Sequence, residues 1–173
     1  MSEPVIPPKA KLFIGLLFNT EELLSAAERI LFKKFGEIDF RSGYIPFANT
    51  DYYDEIGPGL KKIFLSFKRL IRRDDIVSIK LFTNRTEKRI SGKGARRINI
   101  DPGYLTLSNV YLATCKEFFH RVYLGRGVYL ENEYRFTARN YQPWEWTYPD
   151  YRKHEYINFF HETRKLYQKQ IRP

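Results

Sequence analysis

The sequence predicts a single α+β domain, and three observations support that prediction. Strand-like and helix-like patterns alternate over the first hundred residues, three β-rich runs separated by short turns follow, and the last twenty residues carry aromatic side chains at helical spacing. A chain of 173 residues has the size of one domain and can bury a substantial core. We therefore predict one domain over residues 11–173, preceded by a flexible N-terminal arm over residues 1–10.

The first half of the domain shows the alternation most clearly. Residues 11–18 form a continuous apolar run, typical of a buried strand. Asn19 is predicted to cap the following helix, with Glu22 three residues later as in a capping box, and Gly36 ends that helix. The predicted elements are strands at 11–18, within 37–47, at 61–67 and at 96–100, helices at 20–35 and from Asp74 onward, and a loop at 49–59. This β-α-β-β-α-β order is the ferredoxin-like order.

The second half is predicted to extend the sheet and then to cover it. The runs 110–116, 120–124 and 128–136 are rich in β-forming residues and are separated by short turns, which predicts an antiparallel β-meander. A final helix over about 152–169 follows. Its largely aromatic face, which we expect to pack on the sheet, consists of Tyr156, Phe159, Phe160, Thr163 and Tyr167.

Cysteine content and apolar runs restrict the setting of the protein. A single cysteine, Cys115, excludes an internal disulfide framework and is typical of a reducing cytoplasm. The longest apolar run, Leu12 to Phe18, is far shorter than the roughly 20 residues needed to cross a bilayer. The first residues also lack the pattern of a secretory signal. We therefore expect a cytoplasmic protein with no membrane partner.

The positive charge of the chain is concentrated in one segment. Between Lys61 and Arg97 there are thirteen Lys or Arg against three acids, so this segment accounts for the whole formal net charge of +10. Charge of one sign from one region attracts polyanions such as nucleic acid, whereas the alternative is an ordinary solvated basic face. The residues predicted to contact phosphates are Lys61, Lys62, Arg69, Arg72, Arg73, Arg85, Arg89, Arg96 and Arg97.

Asp101 is the most prominent acid in the segment RINIDPGYLTL, residues 97–107. The Pro-Gly pair after it favours a type II turn between two strands, in which the first residue is often Asp because its side chain bonds nearby backbone N–H groups. On the functional interpretation, the same turn holds the carboxylate rigidly at a sheet edge. Both interpretations place Asp101 in a turn.

A predicted hairpin supplies candidate partners for Asp101. If Glu117 to Phe119 form a three-residue loop, Lys116 and His120 lie opposite each other on one face, and Arg121 points to the other face. A lysine beside an imidazole disfavours the imidazolium, so His120 would act as a neutral base or acceptor near pH 7. The alternative is that these are ordinary solvated side chains at the end of a loop.

No metal site is predicted, and the sequence does not identify a cofactor. Asp51, Asp54 and Glu55 could join Asp101 around Mg²⁺, but they lack the spacing of a recognised loop, and a solvated mobile segment is the preferred interpretation. Gly92-Lys93-Gly94 would offer backbone N–H groups to a phosphate, yet it matches no phosphate-binding motif and is better explained as a flexible turn.

Six segments together resemble a known family. They are KLFIGLLFN (11–19), TDYYDEIGPGLKK (50–62), IKLFTN (79–84), RINIDPGYLTL (97–107), ATCKEFFHRVYLGRG (113–127) and EWTYPDYR (145–152). Through them the chain resembles the prokaryotic domain-of-unknown-function family 4416, from about Lys11 to the end of the last helix. The resemblance implies a soluble, stand-alone prokaryotic domain and carries over no activity, cofactor or catalytic residue. Cys115 stands where we expect threonine in similar sequences, which argues against a thiol nucleophile.

Two functional hypotheses follow from the sequence. The first is a binding module for nucleic acid, above all RNA, or for another phosphate-bearing polyanion, through one continuous basic surface formed by residues 61–97. The second is an enzyme that acts on a nucleotide or another phosphorylated small molecule, with Asp101 and His120 as acid–base residues and Lys116 and Arg121 as anion ligands. The concentrated charge favours the first hypothesis.

Overall fold

The structure is a computed structural model that describes residues 1–47 and 51–172, without the side chains of Asp51, Tyr52 and Asp54. Within these residues the chain forms one nine-stranded antiparallel sheet and three α-helices. The strands are β1 (Ala10–Phe18), β2 (Ile38–Arg41), β3 (Ile45–Pro46), β4 (Lys61–Ile71), β5 (Asn99–Leu105), β6 (Asn109–Thr114), β7 (Val122–Gly125), β8 (Val128–Thr137) and β9 (Asn140–Pro143). The helices are α1 (Glu21–Phe35), α2 (Ile76–Ser91) and α3 (His154–Ile171). The predicted α+β class is confirmed.

The strands follow the order β2-β4-β1-β5-β6-β8-β7, with β3 beside β4 and β9 beside β8. Every residue of β1 is buried, because this strand lies inside the sheet and both of its faces are covered. Leu12 and Ile14 point into a core shared with α1 and α2, whereas Phe13 between them points into a second core shared with α3. The helices therefore form two layers on opposite faces of the sheet.

The C-terminal helix packs on the sheet as predicted. The buried residues of α3 are Tyr156, Phe159, Phe160, Thr163 and Tyr167, the set that the helical spacing indicates. Phe159 stacks on Phe64 of β4 at 5.2 Å between ring centroids, and Phe160 meets the ring of Phe13 edge-on at 4.9 Å. Such aromatic contacts add roughly 0.5–1.5 kcal/mol beyond the area that they bury. The core on this face is therefore largely aromatic.

The cap of the first helix lies one residue later than predicted. Thr20, with extended backbone dihedral angles, accepts a hydrogen bond from the Leu23 N–H and is the N-cap of α1. Asn19 instead donates its side-chain N–H to the Ile56 carbonyl at 2.7 Å. The predicted Asn19 cap is wrong because a tertiary contact takes that side chain, and the adjacent threonine can cap equally well.

Asp101 does not lie in a turn. It is a residue of β5, opposite Gly15 of β1, and the ladder between these strands continues through Pro102 and Gly103. Pro102 lies where β6 no longer pairs with β5, a strand-edge position that proline tolerates. Gly103 does not have a positive φ, and a Cβ at this position would overlap the Phe13 ring and the Tyr111 carbonyl. This glycine therefore permits close packing and does not make a turn.

The predicted meander is also wrong in its pairing. β6 does not pair with β7; it pairs with β8, so that Thr114 lies opposite Tyr129. β7 pairs with the other edge of β8, where Val122 faces Leu130. Short loops favour local hairpins, but here β8 lies between β6 and β7 and pairs with both. The predicted pairing of Lys116 with His120 therefore does not form.

Several element boundaries differ from the prediction. The strand predicted within 37–47 is divided into β2 and β3, and β4 continues to Ile71. The predicted loop at 49–59 contains a short 3₁₀ helix, Asp51–Ile56, while Asn49 lies outside the described residues. In the part of the chain that the structure describes, no helix is long and apolar enough to span a membrane.

Candidate functional site

A pocket of about 750 Å³ lies where β5 and β6 separate. The two strands pair only between Gly103–Leu105 and Val110–Leu112, and beyond that point β6 continues beside β8. The walls of the pocket come from α2, β5, β6, the first residues of β4 and a 3₁₀ helix at Pro149–Arg152. A volume of this size is typical of small-molecule sites.

Asp101 is part of the pocket wall and is held by two partners. Its Oδ1 accepts a hydrogen bond from the Lys80 ammonium at 3.2 Å, and its Oδ2 accepts one from the Asn99 amide. Burial alone would raise the pKa of Asp101, but the charges of Lys80 and Lys62 and these two hydrogen bonds hold the pKa below its usual value. Asp101 is therefore an anionic anchor for the cations around it.

Glu87 lies on α2 beside the Lys80–Asp101 pair. Its Oε1 accepts the backbone N–H of Ile100 at 2.6 Å, which joins α2 to β5. Burial and the nearby charge of Asp101 raise the pKa of Glu87 to about 7. A carboxyl group with such a pKa exists in both protonation states at neutral pH, as a general acid or base requires.

Lys62 and Asp150 form a second ion pair in the pocket. Lys62 Nζ lies 3.1 Å from Asp150 Oδ2, and the Tyr156 hydroxyl donates to the same oxygen at 3.1 Å. The Lys62 ammonium lies over the ring of Tyr151 at 4.7 Å, a favourable cation–π distance. Lys62 is thus buried among aromatic rings at the start of β4.

Arg96 supports the opposite wall. It donates to Glu55 at 2.7 Å and to the Asn99 side-chain oxygen at 3.1 Å, and its guanidinium lies 5.0 Å from the centre of the Tyr53 ring. Asn99 in turn donates to Asp101. A continuous polar chain therefore connects the 3₁₀ helix at Asp51–Ile56 to Asp101 in the pocket wall.

His120 lies in a different and smaller cavity of about 420 Å³. Its Nε2 is 2.8 Å from Oε1 of the buried Glu131, and its ring stacks on Trp146 at 5.0 Å. Arg121 donates to the other oxygen of Glu131 at 2.8 Å and to the Tyr148 hydroxyl at 2.7 Å. Asp101 and His120 therefore do not share a site, and Arg121 holds Glu131 and Tyr148 in position.

Tyr148 is the residue that lines both cavities. Burial, together with the charge of Glu131, raises the pKa of its hydroxyl to about 12. The hydroxyl accordingly remains protonated at neutral pH and accepts the Arg121 hydrogen bond.

Glu133 is buried at a β-bulge of β8, within electrostatic reach of Glu131 in the smaller cavity and Asp150 in the larger one. Among the described residues neither of its carboxyl oxygens has a hydrogen-bond partner, and the Tyr151 hydroxyl is in the same situation. Burial raises the pKa of Glu133 well above its usual value, and the charges of Glu131 and Asp150 add to that effect. Glu133 therefore keeps its proton to a higher pH than an exposed glutamate does.

The basic residues between Lys61 and Arg97 are spread along the fold, and several of them are paired with acids. β4 is about 33 Å long at the usual rise per residue, so Lys61 at its start is far from Arg72 and Arg73 beyond its end. Many of these cations are also engaged in ion pairs: Lys61–Glu21, Lys62–Asp150, Lys68–Glu37, Arg72–Asp74, Lys80–Asp101 and Arg96–Glu55. A single basic surface would therefore have to span this length with several of its charges paired, and it stays a prediction.

The predicted anion ligands differ in whether they line the large pocket. Lys62, Arg96 and Lys116 line the large pocket. Arg73 donates to the Pro8 carbonyl, 3.2 Å away. Arg69, Arg72, Arg85, Arg89 and Arg97 are exposed and do not line the pocket.

Within the part of the chain that the structure describes, no three His, Cys, Asp or Glu side chains are placed to hold a metal ion. The side chains of Asp51 and Asp54, two candidate ligands of Mg²⁺, lie outside the described residues. Cys115 is exposed at the pocket and accepts a hydrogen bond from the Asn84 amide at 3.2 Å.

The sequence interpretation missed the pocket residues on α2 and at Pro149–Arg152. Lys80, Asn84 and Glu87 follow the i, i+4, i+7 spacing of one helix face, so a polar stripe on α2 was a detectable signal. Asp150 gave no such signal, because its contact with Lys62 joins residues that are far apart in the chain.

Comparisons with known proteins identify a family but no characterised relative. The family model described as "Domain of unknown function (DUF4416)" matches residues 8–167. No curated protein and no solved structure matched the chain.

Proposed function

Because the chain belongs to the DUF4416 family, whose function is unknown, we propose its function from the large pocket alone. In this pocket the protein binds a phosphate-bearing small molecule such as a nucleotide. One observation carries the proposal. The lining of a pocket of about 750 Å³ combines three carboxyl groups with six cations, which are Lys62, Lys80, Lys88, Arg96, Lys116 and Lys153.

This excess of positive charge favours an anionic ligand. Asp101 and Asp150 are already engaged by Lys80 and Lys62, so these pairs contribute little net charge. Glu87, with its pKa raised to about 7, is partly protonated at neutral pH. Arg96 is likewise engaged by Glu55, so the positive charge that a ligand would meet comes mainly from lining lysines such as Lys88 and Lys153. Phosphate oxygens match such ammonium donors well.

The aromatic lining favours a ligand that also has a flat ring. Phe47, Tyr53, Tyr148 and Tyr151 border the pocket, and stacking of a base on an aromatic ring is worth about 1–3 kcal/mol. A nucleotide combines both features, a phosphate and a planar base. We therefore place nucleotides first among the phosphorylated compounds to be tested.

Catalysis at this pocket would rest on Glu87. Asp101 stays the anchor that positions Lys80 and Asn99, whereas His120, the other predicted acid–base residue, lies in the second cavity. We propose Glu87 as the acid–base group of any reaction in the pocket, because it combines position in the lining with a pKa near 7.

The experiment is a binding screen with matched charge variants. AMP, ADP, inorganic pyrophosphate and ribose 5-phosphate are tested by thermal shift and by calorimetry. Lys88→Met and Lys153→Met each remove one cation of the lining, and Lys33→Met removes an exposed cation of α1 outside the pocket. We expect several-fold weaker binding for the first two variants and unchanged binding for the third. The proposal fails if none of the compounds binds, or if all three variants bind like the wild type.

Nucleic acid remains a second candidate because several arginines of the predicted set are exposed outside the pocket. Arg69, Arg85, Arg89 and Arg97 could contact phosphates of RNA. Fluorescence anisotropy with a random RNA at low and moderate salt tests this hypothesis. An affinity that falls steeply with salt and with Arg85→Met and Arg89→Met would support it, and absence of binding at low salt would exclude it.

We also propose that the first half of the domain is a ferredoxin-like unit. The order β2-β4-β1-β5, with α1 and α2 connecting β1 to β2 and β4 to β5, supports this relationship.

A further inference from the structure

The open edge of the sheet at β7 carries a cluster of exposed apolar side chains. Phe119 is 82% exposed and Val122 is 63% exposed, values unusual for large apolar residues in a folded domain. We define the β7 surface by the six large exposed residues Phe118, Phe119, Val122, Tyr123, Leu124 and Tyr148. Outside the first nine residues, the described chain has only two other large apolar residues of this kind, Phe32 and Tyr44.

Five of these residues lie within 118–124, and contacts in the structure connect the sixth, Tyr148, to this segment. The rings of Phe118 and Phe119 lie 5.1 Å apart, and Arg121 connects this segment to Tyr148 by a hydrogen bond of 2.7 Å. Val122 to Leu124 follow directly as part of the last strand of the sheet order. None of these six residues belongs to either buried core. The β7 surface therefore gathers these exposed side chains around one strand edge.

From these features we infer that the β7 surface binds a second copy of the same chain about a two-fold axis. The first reason is area. At roughly 200 Å² for a fully exposed large side chain, the six residues present about 650 Å² per copy. Two copies would bury about 1,300 Å², within the range of specific interfaces of about 1,200–2,000 Å².

The second reason is symmetry. The edge of an antiparallel sheet is self-complementary, because a two-fold axis perpendicular to the strand brings two copies of it together in antiparallel orientation. β7 has only four residues and a bulge before Gly125, so main-chain pairing would be short. Burial of the side chains, above all Phe119 and Val122, would supply most of the binding.

The third reason is charge. The chain carries a net charge of +10, which opposes self-association, but charges of both signs border the β7 surface. Glu117 precedes β7 and Arg126 follows it, and both are exposed. An antiparallel arrangement brings the start of one β7 close to the end of the other, so Glu117 of one copy would face Arg126 of the second copy.

Sedimentation equilibrium between about 5 and 500 µM tests the inference. We expect the mean mass to rise with concentration toward that of a dimer. Phe119→Ser and Val122→Lys should each raise the dimer dissociation constant at least tenfold, because both side chains are exposed in the monomer and their replacement leaves the fold intact. The control is Phe32→Ser, which removes an exposed ring from α1 and should not change the dimer.

A charge exchange tests the orientation of the two copies. Glu117→Arg should weaken the dimer through repulsion from Arg126, and the double variant Glu117→Arg with Arg126→Glu should restore it. A protein that is monomeric up to 500 µM overturns the inference, as does a dimer that the β7 variants leave unchanged. A dimer that the Phe119 and Val122 variants disrupt but the double variant does not restore overturns the antiparallel arrangement.

Discussion

The Lys80 ammonium lies 3.2 Å from Asp101 Oδ1 and connects α2 to β5 across the wall of the large pocket. Only 8% of the Lys80 side chain is exposed, so the pair is largely removed from water. Removing one partner of a buried pair leaves an uncompensated charge and typically costs about 3–5 kcal/mol. We expect Asp101→Asn to lower the free energy of unfolding by about 3 kcal/mol, measured by urea denaturation.

The matched control for this prediction is Asp74→Asn. Arg72 and Asp74 also form an ion pair, at 2.6 Å, but both side chains are about two-thirds exposed. Exposed pairs contribute little to stability. No measurable change is therefore expected for the control. If Asp101→Asn lowered the free energy of unfolding as little as Asp74→Asn does, the Lys80–Asp101 pair would not be structurally important.

Gly103→Ala should destabilise the protein because of steric overlap. The added Cβ would meet the Phe13 ring and the Tyr111 carbonyl, and the carbonyl belongs to the backbone of a paired strand and cannot move aside easily. Overpacking of this kind costs about 1–3 kcal/mol. Gly94→Ala is the control, since the space around Gly94 is open and its φ is not positive. Thermal denaturation of both variants tests the prediction. Similar melting temperatures of Gly103→Ala and Gly94→Ala would contradict it.

Ligand affinity should depend on the protonation of Glu87. An anion that binds beside Glu87 favours the protonated form, so AMP binding should weaken as the pH rises from 6 to 8 through the pKa of about 7. Glu87→Gln removes this contribution while the titration of AMP itself stays the same in both proteins. We expect the ratio of the two dissociation constants, measured by calorimetry, to change by up to about tenfold over this range. A constant ratio would exclude Glu87 from the linkage.

Glu133 should make the protein less stable as the pH rises. Its pKa is raised in the folded protein, so the folded chain keeps a proton that the unfolded chain releases above its ordinary pKa of 4.5. The free energy of unfolding must then decrease with pH, by up to about 1.4 kcal/mol per unit, while Glu133 stays protonated in the fold. In Glu133→Gln this contribution is absent, so the stability of the variant relative to the wild type should increase from pH 6 to pH 8.

The control for Glu133 is the same chemical change at Glu145. That residue is exposed, so Glu145→Gln should keep a constant stability difference from the wild type over the same pH range. Urea denaturation at pH 6, 7 and 8 gives the comparison. Parallel pH dependence of the wild type and Glu133→Gln would refute a raised pKa of Glu133.

Local patterns predict the parts of this fold that depend on one element at a time. The buried face of α3 follows from its helical spacing, because each position on a helix fixes which side the residue faces. The turn predicted at Gly103 fails because the role of this glycine depends on the Phe13 ring of another strand, which no local pattern reveals. The predicted β6–β7 hairpin fails for a similar reason, since β8 pairs with both strands.

The candidate site is only partly predictable from the sequence. Asp101 and Lys116 are predicted site residues that do line the large pocket, and their use in binding stays a prediction. His120 is assigned to the same site only by a hairpin register that does not form. Glu87 and Asp150 acquire their environment from distant parts of the chain, through Ile100 and Lys62 respectively.

The aromatic core under α3 has a consequence for biosynthesis. α3 follows all nine strands of the described chain, so the ribosome releases it last among these elements. Until then Phe13 and Phe64 have no helix to cover them, and the nascent sheet exposes rings that can bind other nascent chains. Chaperone demand during translation should therefore persist until α3 emerges, and a nonsense mutation before His154 should yield an aggregating product.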